Sequence, residues 1–107
     1  MTDIVSELEA LSADQLRQVY SRLWLELTIG SRSIWSDDRY SETQKLDGLK
    51  WINEIQHRVW HSYMDSPGYS PAWLLDRIGD NVQQAEHIRG YVDHSLRSAI
   101  NSLACST

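Results

Sequence analysis

Apolar residues recur along this chain every three or four positions, which is the spacing of an amphipathic helix. The pattern is longest in three stretches, which predict long helices over residues 12–29, 42–64 and 81–103. Two shorter stretches predict short helices over residues 3–11 and 71–78. The sequence therefore predicts an all-α protein.

The starts of these helices carry recognisable signals. Ser followed by Gln three residues later has the spacing of a capping box, in which the two side chains bond to free backbone N–H groups. The pairs Ser12 with Gln15 and Ser41 with Gln44 fit it. Asp80 with Gln83 suggests the start of the last helix, and Gly30 opens a predicted loop that reaches Tyr40.

The connections between the long helices are short, so chain neighbours should be antiparallel. A chain of 107 residues is the usual size of one domain. We therefore predict a single helical domain over residues 1–107, folded as a small up-and-down bundle.

Polar side chains interrupt the apolar faces of the predicted helices. In the last helix Arg89 falls on the apolar seam between Ala85 and Val92. A buried charge must be paired, and Glu26 is the partner that the pattern suggests. One prediction is a buried polar network of Glu26, Asn53, Gln56 and Arg89. The alternative is that the seam faces another chain and that Arg89 is an interface residue.

Charge and composition narrow the function. Ten Lys and Arg against 15 Asp and Glu give a net charge of -5, the wrong sign for a protein whose affinity comes from neutralising phosphates. The sequence therefore argues against a nucleic-acid partner, and an acidic surface suits a basic one. Five Trp and five Tyr with no Phe indicate a protein interface, because both side chains join an apolar body to a polar tip. The partner expected first is a different protein, and the alternative is a second copy of this chain in a homodimer.

Three features that the sequence lacks bear on the protein's location and on its cofactors. No apolar run approaches the length needed to span a bilayer, and the polar first ten residues do not resemble a secretory signal. A cytoplasmic location is expected. The five Gly form no phosphate-binding loop, and no cofactor is expected.

One short motif bears on chemistry. The segment Arg89-Gly-Tyr-Val-Asp-His94 has an Arg and a His separated by four residues. This spacing resembles the catalytic motif of the HEPN-type ribonucleases, which are small helical bundles that often dimerise around it. The resemblance implies a ribonuclease that uses Arg89 and His94. On one helix, however, these side chains point about 140° apart.

Two further candidate sites lie on the second long helix. Glu54, His57 and His61 stand three and four residues apart, as metal ligands on neighbouring turns would. Their polar surroundings also fit a solvated helix face, and we predict no metal site. A small-ligand pocket lined by Asn53, Gln56 and Tyr63 is the other alternative.

The leading hypothesis is a non-enzymatic interaction protein that binds a protein partner, in the manner of an inhibitor, immunity protein, antitoxin or adaptor. The HEPN-like ribonuclease is the alternative. The residues predicted to form the binding surface are Trp35, Arg39, Tyr69, Trp73 and Arg89.

Overall fold

A computed structural model describes residues 4–64 and 70–105 of the chain. These residues form five α-helices and one 3₁₀ turn, with no strand among them. The helices are α1 (Ile4–Glu9), α2 (Ala13–Trp35), α3 (Glu42–Met64), α4 (Pro71–Gln84) and α5 (Arg89–Cys105), and the 3₁₀ turn (Glu86–Ile88) precedes α5. The prediction of a small all-α bundle is confirmed.

The helix starts carry the predicted caps. The backbone N–H of Gln15 donates to Ser12 Oγ at 3.2 Å, and the N–H of Ser12 donates to Gln15 Oε1 at 2.9 Å. Ser41 and Gln44 make the same pair of bonds before α3. These bonds satisfy N–H groups that have no partner inside the helix, which explains why both helices begin where they do.

Helix α2 lies at the centre of the bundle, because it packs against both α3 and α5, while α4 packs against α3 and α1. The core is drawn from all five helices and the 3₁₀ turn. Its fully buried members with the largest side chains include Leu8, Leu23, Leu27, Ile34, Ile52, Ile55, Leu74 and Ile88.

The predicted loop from Gly30 to Tyr40 is wrong in its first half, because α2 continues to Trp35. Gly30 is buried against α5, where a Cβ would lie 3.8 Å from both Ser95 Oγ and Tyr91 Cβ. Ile34 is fully buried one turn later. The burial of Ile34 favours continuing the helix over ending it at the glycine.

The predicted boundary between the last two helices is also wrong. Gly79 does not end α4, and Asp80 lies inside that helix, where it pairs with Arg77 at 3.6 Å. The break comes at Ala85, whose φ of -147° and ψ of 76° are not helical. Thus α4 is longer and α5 shorter than the sequence suggested.

The break at Ala85 shifts the phase of the apolar seam. A continuous helix would place residue 89 on the seam, but Ile88 takes that position and is fully buried. Ile88 then leads at helical spacing to Val92, Leu96 and Ala99, all of them buried. Arg89 therefore points away from the core, contrary to the prediction.

Gly48 permits a close approach of α3 to the 3₁₀ turn. A Cβ at this position would lie 3.0 Å from Ile88 Cγ2 and 3.2 Å from His87 Nε2. The first distance is at the limit of what real Cβ atoms show. A larger residue here would require the side chains of Ile88 and His87 to give way by a few tenths of an ångström.

We expect Gly48→Ala to lower the free energy of unfolding by about 1–2 kcal/mol, because the cost of overpacking exceeds the gain in helix propensity of about 1 kcal/mol. Gly79→Ala is the matched control, since nothing lies within 4 Å of the added methyl group. That variant should be more stable by about 0.5–1 kcal/mol. Urea unfolding followed by circular dichroism measures both, and a gain at both positions would contradict the close approach.

We expect Ile88→Ala to cost about 2–5 kcal/mol, as buried large-to-small substitutions do. Arg89→Ala should leave the unfolding free energy close to that of the wild type, because it removes only an exposed ion pair. The same unfolding experiment compares the two neighbours. If Arg89→Ala were the more destabilising substitution, Arg89 would be the buried residue, as the sequence predicted.

Candidate functional site

A band of exposed apolar side chains crosses the outer face of α2. Trp24 is 40% exposed, Leu25 44% and Ile29 49%, and on α3 Trp60 is 49% exposed. The rings of Trp24 and Trp60 lie side by side, with centroids 6.5 Å apart and planes tilted by 56°. We call Trp60, Trp24, Leu25 and Ile29 the apolar band. Half-exposed tryptophans that sit together are typical of protein-binding surfaces.

Three hollows adjoin the tryptophans of the band. The largest, of about 670 Å³, is lined by Arg17, Gln18, Ser21, Arg22, Trp24, Leu25 and Ser102. A second, of about 290 Å³, is lined by Trp24, Asn53, Gln56, His57 and Trp60. The smallest, of about 140 Å³, is lined by Tyr20, Ser21, Trp24, Val59 and Trp60. The two tryptophans thus form a ridge between concave surfaces.

Gln56 joins α3 to α2 beside this ridge. Its Nε2 donates to the carbonyl oxygen of Trp24 at 3.0 Å and to Thr28 Oγ1 at 2.8 Å. The backbone of Trp24 is thereby tied to α3, the helix that carries Trp60. The prediction that Gln56 is a polar residue between helices fits this bond, although its partners differ from those predicted.

The predicted network of Glu26, Asn53, Gln56 and Arg89 does not form. Glu26 is buried, but its Oε1 pairs with Arg22 Nη2 at 2.6 Å, one turn earlier on the same helix. Arg89 is half exposed, and its guanidinium pairs with both carboxylate oxygens of Glu86 at 2.8 and 2.9 Å. This ion pair raises the pKa of Arg89 and lowers that of Glu86. The phase shift at Ala85 is the physical reason for the difference.

A polar cleft of about 530 Å³ lies on the other side of α2. It opens between the C-terminal half of α2, the connection to α3, and the start of α5. Its lining is Glu26, Ile29, Gly30, Ser33, Arg39, Tyr40, His87, Gly90, Tyr91, His94 and Ser95. Ile29 belongs to both surfaces, so the apolar band ends at the rim of this cleft.

An ion pair with Asp37 holds Arg39 in the wall of the polar cleft. Arg39 binds both oxygens of Asp37, with Nη2 2.6 Å from Oδ2 and Nε 3.0 Å from Oδ1. Tyr91 donates its hydroxyl to the same Oδ2 at 2.9 Å. The Arg39 hydrogen bonds hold the pKa of Asp37 well below its usual range, and burial with the Asp37 bond raises the pKa of Tyr91. The carboxylate therefore stays ionised and anchors the α2–α3 connection to α5.

His87 forms a second wall of the cleft. Its Nε2 lies 2.8 Å from the carbonyl oxygen of Gln44, and because a carbonyl only accepts, Nε2 carries a proton. The Tyr40 hydroxyl donates to the backbone oxygen of His87 at 3.2 Å, and the two rings meet edge to face at 5.2 Å. In the neutral ring Nδ1 remains an acceptor.

The two residues of the ribonuclease motif lie apart. His94 lines the polar cleft, whereas Arg89 is not among the described residues that line it. The cation that shares the cleft with His94 is Arg39, which the sequence placed on a binding surface. The motif spacing could not indicate that Arg39 and His94 line the same cleft, because Arg39 comes from a distant part of the chain.

The remaining predicted site residues are scattered. Trp35 ends α2 and is half exposed, whereas Trp73 is partly buried against the core with the Arg77 guanidinium 5.6 Å from its ring centre. Tyr69 and the side chain of Tyr63 lie outside the described residues.

The metal candidate does not assemble. His57 and His61 stack at 6.4 Å between ring centroids. Across residues 4–64 and 70–105, no group of three or more His, Cys, Asp or Glu side chains could hold a metal ion. In the same part of the chain, every helix is too short or too polar to cross a bilayer.

Comparisons with protein-family models, with curated proteins and with solved structures found no match. The function of this chain is therefore inferred from its geometry.

We expect the Asp37 ion pair to stabilise the fold at neutral pH. Because the pKa of Asp37 is lower in the folded chain, this stability is present above about pH 4 and is lost as the pH falls below it. Asp37→Asn should melt at a lower temperature than the wild type near pH 7, and the gap should close toward pH 2. Thermal unfolding across this range measures the effect.

Asp38→Asn is the matched control, because Asp38 is the exposed neighbour of Asp37. At every pH, the melting temperature of Asp38→Asn should equal that of the wild type. If the melting temperature of Asp37→Asn falls with decreasing pH just as that of the wild type does, the ion pair does not anchor the α2–α3 connection to α5.

Proposed function

We propose that this chain is a non-enzymatic interaction protein that binds a protein partner through the apolar band of Trp60, Trp24, Leu25 and Ile29. The observation that carries the proposal is the pair of half-exposed tryptophans, held side by side across α2 and α3. The inhibitor, immunity, antitoxin and adaptor classes share this mode of action. A cytoplasmic location stays a prediction.

The energetics favour burial of this band by another molecule. Covering the exposed part of one tryptophan, on the order of 100 Å², would contribute about 2.5 kcal/mol. The band presents two such rings together with two aliphatic side chains. The two rings already lie side by side, which limits the side-chain entropy that is lost when they are covered.

The surroundings of the band resemble the polar rim of an interface. Arg17 and Arg22 lie on one side, and Asn53 with His57 on the other. These side chains offer hydrogen bonds to a partner while the apolar centre is desolvated.

Charge argues for a different protein over a second copy as the occupant. Two copies would each carry a net charge of -5 and repel one another, whereas a basic partner would be attracted and steered. We therefore commit to a protein of net positive charge whose contact surface is apolar and carries carboxylates opposite Arg17 and Arg22. Self-association is an outcome of the test. The ribonuclease alternative stays a prediction, for which RNA cleavage by the wild type and by His94→Ala is the assay.

The test compares partner capture by tagged wild type, Trp24→Ala and Trp35→Ala in the native host. Both positions are half exposed, so both variants should keep the helical circular dichroism spectrum. We expect Trp24→Ala to weaken binding of the captured protein by about 30-fold or more, as at an interface hot spot, and Trp35→Ala to leave it within about threefold. Calorimetry with the purified partner gives the affinities.

The outcomes separate the alternatives. Loss of capture with Trp35→Ala alone would move the interface to the end of α2, as the sequence suggested. A wild-type dimer in sedimentation that Trp24→Ala dissociates would make a second copy the occupant. Capture that survives both substitutions would refute the proposal.

A further inference from the structure

The hollow on the α3 side of the apolar band is lined by both of its tryptophans. It has a volume of about 290 Å³, and its walls are Trp24, Asn53, Gln56, His57 and Trp60. Trp24 is 40% exposed and Trp60 49%, so both indoles are within reach of a molecule that arrives from solvent. A group that fills this space therefore contacts two indoles at once. We call it the indole hollow.

The spacing of the two rings suits a single organic cation. A cation is attracted to the face of an indole when it lies within about 6 Å of the ring centroid. The centroids of Trp24 and Trp60 are 6.5 Å apart, so one positively charged group can lie within this range of both. Tryptophan is also the side chain that attracts cations most strongly in this way.

The distribution of charge favours a cation at this hollow. None of the described residues that line it is Lys or Arg. The larger hollow on the other side of Trp24 is different, because Arg17 and Arg22 line it. The chain as a whole has a net charge of -5, which attracts positive groups. A positive side chain of a bound partner therefore fits the indole hollow better than the hollow beside the arginines.

We propose that the indole hollow binds a cationic side chain. In the protein-binding function proposed above, on which this inference rests, that side chain is a lysine or an arginine of the partner. Its aliphatic stem packs on the indoles while its charge lies against their π-systems. A carboxylate in the same place would be repelled by the negative faces of the rings. A neutral aliphatic side chain would gain the apolar contact alone.

The experiment uses two probes of nearly the same shape that differ by one charge. They are choline and its neutral isostere dimethylbutanol, in which a carbon atom replaces the nitrogen. Each is titrated into the ¹⁵N-labelled protein, and the indole N–H signals of Trp24 and Trp60 are followed by NMR. The ratio of the two dissociation constants separates the effect of the charge from that of the shape.

The same titrations are run on two variants. Trp60→Leu keeps an apolar side chain at the hollow but removes one π-system, and its Trp24 indole still reports binding. Trp35→Leu is the matched control, because Trp35 is 52% exposed but lies at the last residue of α2, outside the hollow. Both positions are half exposed, so both variants should keep the helical circular dichroism spectrum.

We expect choline to bind the wild type about fivefold more tightly than dimethylbutanol, as a cation–π contact at an exposed site would give. This preference should be largely lost in Trp60→Leu and unchanged in Trp35→Leu. Equal or tighter binding of dimethylbutanol by the wild type would overturn the proposal, because a charge that meets the positive edges of the rings is not attracted. A preference that persists in Trp60→Leu, or no saturable shift with either probe, would overturn it as well.

Failure of this inference is distinct from failure of the protein-binding function. If choline is preferred while capture survives Trp24→Ala, the cation site stands and the interaction surface is refuted. If capture depends on Trp24 but choline is not preferred, the interface stands and its anchor is not a cation. In a complex that uses both, choline should displace the captured partner at a lower concentration than dimethylbutanol does.

Discussion

The structure depends on one constraint, which is that α2 is apolar on more sides than the bundle can cover. The stretch from Leu23 to Ile29 carries apolar side chains nearly all round the helix, but among the described residues α2 packs mainly against two helices, α3 and α5. Leu23 and Leu27 fill the core, and Trp24, Leu25 and Ile29 are left half exposed. The apolar band and the hollows beside it follow from this mismatch.

A second feature, the close approach at Gly48, shapes the other side of the molecule. The missing side chain lets Ile88 reach the core and brings His87 against α3. With His87 in place, its Nε2 bonds to Gln44 and Tyr40 packs on its ring. The polar cleft is therefore a consequence of the 3₁₀ turn, since the turn sets where His87, Tyr91 and His94 emerge.

The sequence predicted that the helices exist, but it predicted poorly where two of them end and which side chains their neighbours cover. The reason is physical. Capping boxes are local, so Ser12 and Ser41 marked two starts correctly. The break at Ala85 has no such marker, and a shift of one residue there exchanged Arg89 for Ile88 in the core. Leu46 and Trp60 lie on the apolar arc of α3 yet are half exposed, because spacing shows which residues share a face and not how wide a neighbour covers it. The apolar band was missed for this reason, although the all-round apolarity of α2 was its signal.

The apolar band bears on function because its exposed side chains do not help the isolated chain to fold. Polar residues in place of Trp24 and Trp60 would reduce the apolar surface left in water. The same indoles become favourable once another molecule covers them. Since the two rings lie side by side on neighbouring helices, a single contact surface could cover both.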